Sequence, residues 1–373
     1  MGYRYDEGVK PLLWPRLSGQ ENGGAGGKEA GGHANHLELV PPELALTSGF
    51  TFMKPFLERR IRSDACLKRQ ELITKKSSRQ REPSDWSNAE KAAFEVEWYE
   101  NQVEWIETIH QMCGEPIFWD QIAAWPAPFL RGEPGPHEKR AEEEYQEYKP
   151  TRMQKLLKQD STVKQELEDR LAWAREKDRS EYAEWKSLTD FARDVLEGNR
   201  TSYLRVLEEI APMEDLLTLG SGLEFNVLDA ETVEVELDVN SGGIIPKESK
   251  RMTEEGVLSH SRFSAEAYHE LERKYVFGSV FRIARELFAL LPLESVLIHA
   301  RDTKVNPETG LEEYVTLLSV RFDRSVLTAK HLDPDFDPDS GHNPGTHMLD
   351  AFPHHMQFEA STGFKPVEPL SRS

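Results

Sequence analysis

All eight tryptophans of this 373-residue chain lie at or before Trp185. From Gly220 onward the apolar residues stop recurring at helical spacing and begin to alternate. A chain with that break folds as two kinds of structure in succession, a long helical part and a part built on a sheet.

In the helical part, Phe94, Trp98, Trp105, Ile109 and Met112 recur at three-, four- and seven-residue steps over 88–112, with Asn101 as a polar interruption. Leu167, Leu171, Ala174, Trp185, Leu188, Ala192 and Val195 form a second stripe over 162–196, interrupted by Asp178. The two stripes fit an antiparallel coiled-coil hairpin of about 30 to 50 Å, at about 1.5 Å per residue. Gly198 and Asn199 close the second helix. Between them, Pro126, Pro128, Pro134 and Pro136 forbid a continuous helix, and a charged helix then runs to Tyr148. Trp119, Trp125 and Phe129 read as the apolar cap of the hairpin tip rather than as a ligand platform.

In the sheet part, Val233-Glu234-Val235-Glu236-Leu237-Asp238-Val239 puts aliphatics on one face and acids on the other. Residues 264–291 carry the core stripe Phe277, Val280, Phe281, Ala284, Leu287, Phe288 and Leu291, and Pro292 follows. Two strands, Val296 to Asp302 and Tyr314 to Phe322, flank a turn around Asn306-Pro307-Glu308-Thr309-Gly310. The expectation is an α+β fold: a helical hairpin, then a small domain with a mostly antiparallel sheet on one main helix. Its expected parts are a mostly disordered region 1–83, a helical arm 84–219, an α+β domain 220–360 and a flexible tail 361–373.

The formal charge of −20 argues against nucleic acid and anionic lipid as default partners. Cys66 and Cys113 are the only cysteines, which makes neither a disulfide framework nor a zinc module and suits a reducing cytoplasm. No stretch of about 18 apolar residues predicts a membrane span. The tract Gly23-Gly24-Ala25-Gly26-Gly27-Lys28-Glu29 lacks the spacing and the Ser or Thr of a phosphate loop and reads as a linker. Residues 59–81 invert the charge, with nine cations against Asp64 and Glu71. Without aromatic residues for stacking, they allow only weak, salt-sensitive nucleic-acid binding.

Several stretches resemble a family of uncharacterised bacterial proteins over about residues 90–365. They are Gly220-Ser221-Gly222-Leu223-Glu224-Phe225, Ile244-Ile245-Pro246-Lys247-Glu248, Ala284 to Glu294 and Val296-Leu297-Ile298-His299-Ala300. Gly114-Glu115-Pro116-Ile117 and Gly135-Pro136-His137-Glu138-Lys139 belong to the same resemblance. It implies a cytosolic bacterial protein and carries no activity.

Three groups of residues bear chemistry. On the polar sheet face, Glu234, Glu236 and Asp238 stand with His299, Arg301, Ser319 and Arg321, either as cross-strand ion pairs or as acids holding Mg2+ or Mn2+ in a phosphodiesterase or nuclease. Asp335, Asp337, Asp339 and His342 lie in a His- and Asp-rich segment, 331–355, whose spacing fails an EF-hand at Ser340 and Thr346. Lys274, Arg282 and Arg285, with Gly278, follow one helix face and read as a solvated ridge or an anion grip. No catalytic motif is complete. The expectation is therefore a non-enzymatic, cytoplasmic interaction or regulatory protein that meets a protein partner through its helical arm. It needs no cofactor, and Mg2+ or Mn2+ enters only under the nuclease reading.

Overall fold

The computed structural model of the protein describes residues 86–156, 159–305, 309–331 and 349–372, with short pieces at 12–13, 68 and 71–72. In chain order the helices are α1 (Asn88–Thr108), α2 (Trp119–Ala123), α3 (Pro136–Glu147), α4 (Arg152–Leu156), α5 (Asp160–Leu196), α6 (Arg200–Ile210), α7 (Glu214–Leu219), α8 (Ser241–Ile244), α9 (Ala265–Leu290) and α10 (Arg324–His331). The strands are β1 (Leu12–Leu13), β2 (Gly222–Val227), β3 (Thr232–Asp238), β4 (Glu248–Met252), β5 (Leu258–Arg262), β6 (Ser295–Val305), β7 (Glu312–Asp323), β8 (His354–Glu359) and β9 (Gly363–Lys365). The fold is α+β, with a mostly antiparallel sheet on one main helix. Contacts divide the chain into two compact units, Phe118–Ser202 and everything else.

The sheet unit runs β1-β2-β3-β6-β7-β8-β9. Only β3 and β6 pair in parallel; α8, the separate β4–β5 hairpin and α9 make the crossover between them. Register explains the two faces. Val233, Val235 and Leu237 lie opposite Val296, Ile298 and Ala300, which lie opposite Phe322, Val320 and Leu318. All nine are buried, so three strands give one continuous apolar face. Helix α9 covers it, with the Phe281 and Phe322 rings 6.3 Å apart.

Helix α9 is buried on nearly all sides because α1 and the turn Ile109–Gln111 pack on it as well. Helix α1 starts with a capping box: Ser87 Oγ accepts from the Glu90 amide at 3.2 Å, and Glu90 accepts from the Ser87 amide at 2.8 Å. It buries Phe94, Trp105 and Ile106 against α9 and the β4–β5 hairpin. The stripe over 88–112 is thus the outer layer of the sheet unit, and the helical hairpin has another first member. The unit also takes in Tyr203, Val206, Leu207 and Ile210 of α6, all buried. Helix α7 ends at Gly220, whose φ of 113° suits a residue without a Cβ. The contact units therefore divide the chain at 117 and 203 rather than at 220.

In the Phe118–Ser202 unit, the 37-residue α5 is the spine. Helix α3 runs antiparallel along it: Glu138 bonds Arg175 at 2.7 Å, Glu144 meets Arg170 at 3.9 Å and Tyr145 reaches Glu168 at 3.2 Å. The hairpin is thus α3 with α5. Trp119 packs on Phe191, Phe129 on Tyr182, and the Trp185 indole donates to the Trp125 carbonyl at 3.0 Å. These aromatics line the flank of α5 rather than cap a tip. Leu171 and Leu188 are half-buried, not core.

Candidate functional site

The polar face of the sheet brings several of the sequence candidates together. Alternation and register place Glu234 and Glu236 of β3 beside His299 and Arg301 of β6 and Ser319 of β7. Three of them form a buried row: Nδ1 of His299 lies 2.8 Å from Ser319 Oγ, and its Nε2 lies 3.3 Å from Glu234 Oε1. With Glu234 ionised, Nε2–H donates to the carboxylate. Burial opposes ionisation of Glu234, but hydrogen bonds from His299, Arg372 and Asn226 outweigh it and hold the carboxyl at about 2.

The last residues of the chain close over this row. Arg372 bonds Glu234 at 2.9 and 2.8 Å. The Leu370 amide donates to Ser319 Oγ at 2.9 Å, and Arg321 donates to the Ser371 carbonyl at 2.9 Å. Val367 N–H reaches the Thr316 carbonyl at 3.0 Å. The segment expected as a loose tail is therefore bonded to the sheet through residue 372. Ser319 is fully buried, and its oxygen already meets both an imidazole and an amide. The row has the order of a nucleophile–base–acid relay, but its serine is fully buried, and Leu370 and Arg372 bond to its two ends.

Alternate residues on a strand stand about 6.6 Å apart along the backbone, and Glu234, Glu236 and Asp238 are not among the donors that the described residues bring within 4.8 Å of one another. Each of the first two also has a cation: Arg372 on Glu234, and Arg301 on Glu236 at 2.8 Å. Asp238 faces Arg301 in register, and Arg301 stacks over Tyr314 at 4.4 Å. Crowding with Glu236 and Glu234, after burial, raises the pKa of neighbouring Glu224.

The basic residues of α9 are committed to packing. Lys274 pairs with Glu107 at 2.7 Å, Arg285 donates to the His110 carbonyl at 2.9 Å, and buried Arg282 forks onto Asp215. The ridge is a helix-docking face, not an anion grip. Asp335, Asp337, Asp339 and His342 lie outside the described residues, as does the basic segment 59–81 apart from positions 68, 71 and 72. Sequence reasoning missed Asn226 and Arg372. Asn226 carries the alternation of β2 as its signal, whereas nothing local marks Arg372.

Among the described residues no helix is long and apolar enough to cross a membrane. Comparison with protein-family models, with curated proteins and with solved structures gives no match, so no family is assigned.

Proposed function

We propose that the chain is a non-catalytic, cytoplasmic interaction protein whose helical unit docks a protein partner. The observation that carries this reading is Trp173. It stands on the longest helix with 65% of its surface exposed, and Lys177 lies over its ring at 5.4 Å. An exposed indole is a common anchor in interfaces. Leu130, Met153 and Leu156 of the same unit are also exposed. The −20 charge favours a protein with basic surface over nucleic acid. The ion-paired acids of the sheet offer no support for the nuclease reading.

Placing a photo-crosslinking phenylalanine analogue at position 173, with exposed Ser187 as the control position, tests this in living cells. A discrete protein adduct from position 173 that is absent from position 187 is expected. Equal labelling at the two positions, or none at 173, overturns the proposal.

A further inference from the structure

We infer that His137, Asp178 and Glu181 form a binding site for a transition-metal dication of the zinc type. The three residues come from two helices of one unit, and their ligand atoms all lie within 4.8 Å of one another. Asp178 and Glu181, three residues apart on α5, share a helix face. His137 is the second residue of α3, delivered there by the Gly135-Pro136 start.

The spacing fits an ion. His137 Nε2 and Glu181 Oε1 stand 3.1 Å apart. Two ligands at about 2.0–2.1 Å from one tetrahedral ion are about 3.3 Å apart, so this pair already has the bite of a shared metal. Asp178 is the buried member. Its Oδ1 accepts the His137 amide at 3.2 Å and its Oδ2 accepts the Glu138 amide at 2.7 Å. These bonds fix the carboxylate while leaving each oxygen a lone pair. Gly135 makes the approach possible, because a Cβ there would lie 2.2 Å from Asp178 Cγ.

The donor set selects the ion. One imidazole and two carboxylates suit zinc or manganese better than magnesium or calcium, which prefer oxygen alone. The carboxylates balance the dication. Lys177 lies 3.8 Å from Glu181 on a long, partly exposed stem that a bound dication would displace, and Arg175 already bonds Glu138. Capping of α3 explains Asp178 by itself. The His137–Glu181 hydrogen bond brings an imidazole and a second carboxylate to the same point, so that all three donors converge. His137 and Glu181 are only partly buried, which leaves room for water to complete the coordination. This inference does not depend on the partner reading.

The test must separate this site from the His-rich segment 331–355, which holds five histidines. The full chain is loaded with one equivalent of Zn2+ and its zinc X-ray absorption is measured. One imidazole with oxygen ligands is expected, and two or more imidazoles overturn the assignment. Equilibrium dialysis then compares the wild type with His137→Gln and Glu181→Gln, with far-UV circular dichroism as the check on folding. Affinity falls about 100-fold or more in each variant, at least the loss seen when only an outer-shell partner is removed. Unchanged affinity in both overturns the site, and if a variant fails to fold the absorption measurement decides.

Discussion

Glu234 shows how far a single residue depends on neighbours distant in sequence. Its carboxyl falls from an ordinary 4.5 to about 2 because three donors outweigh the cost of burial. A depressed carboxyl stabilises the fold above the unfolded value, and that contribution is lost as pH falls through the folded one. Glu234→Gln is therefore expected to cost up to about 3 kcal/mol near pH 7. The gap from wild type should shrink as pH drops from 4.5 toward 2. Denaturant melts of both proteins at pH 7 and at about pH 3 check this; a gap independent of pH would show that the donors do not act on the charge. Alternation in β3 made it legible that Glu234 shares a face with Glu236 and Asp238. That His299 reaches Glu234 follows from a parallel pairing that no local pattern announces. Arg372 arrives from 138 positions away.

At the scale of elements, the first stripe is mostly buried, whereas of the second only Ala174, Ala192 and Val195 are core, and neither has the partner expected of it. A helical stripe states that one face is covered, never by what. Helix α1 turned its stripe to α9 because α9 is buried on nearly all sides, and Lys274 meets Glu107 there. Helix α3 gave no stripe at all. Among its side chains only Ala141 is buried, and it is tied to α5 chiefly by ion pairs and by the Asp178 cap. That cap yields a sharp prediction. Gly135→Ala drives a Cβ into the Asp178 carboxylate, so the helix start or α5 must shift. A loss of about 1–3 kcal/mol is expected, the usual cost of overpacking. Thermal melts followed by circular dichroism should show it, and an unchanged midpoint would mean that the contact relaxes freely.

For the whole molecule, the change of period at Gly220 marks where strands begin, while the compact units divide at 117 and 203. A fragment of residues 220–373 loses α1, the turn after it and α7. It then exposes the outer face of α9 and strips Arg282 of Asp215, the partner it meets at 2.7 Å. That fragment is expected to show no cooperative melt by tyrosine fluorescence and circular dichroism, whereas the full chain should show one. A cooperative transition in the fragment would mean that the outer helical layer is dispensable. By itself the sequence determined the main helices and strands and the α+β class, because helical and strand periodicity are local properties of covalent geometry. Only the tertiary structure decided that α1 belongs to the sheet unit, that β3 lies parallel to β6, that Leu370 and Arg372 bond to the buried Glu234–His299–Ser319 row, and that His137 meets Asp178 and Glu181. Each of these is a choice among partners that are equally apolar or equally charged. Simultaneous packing of the whole chain makes that choice, and no window of sequence contains it.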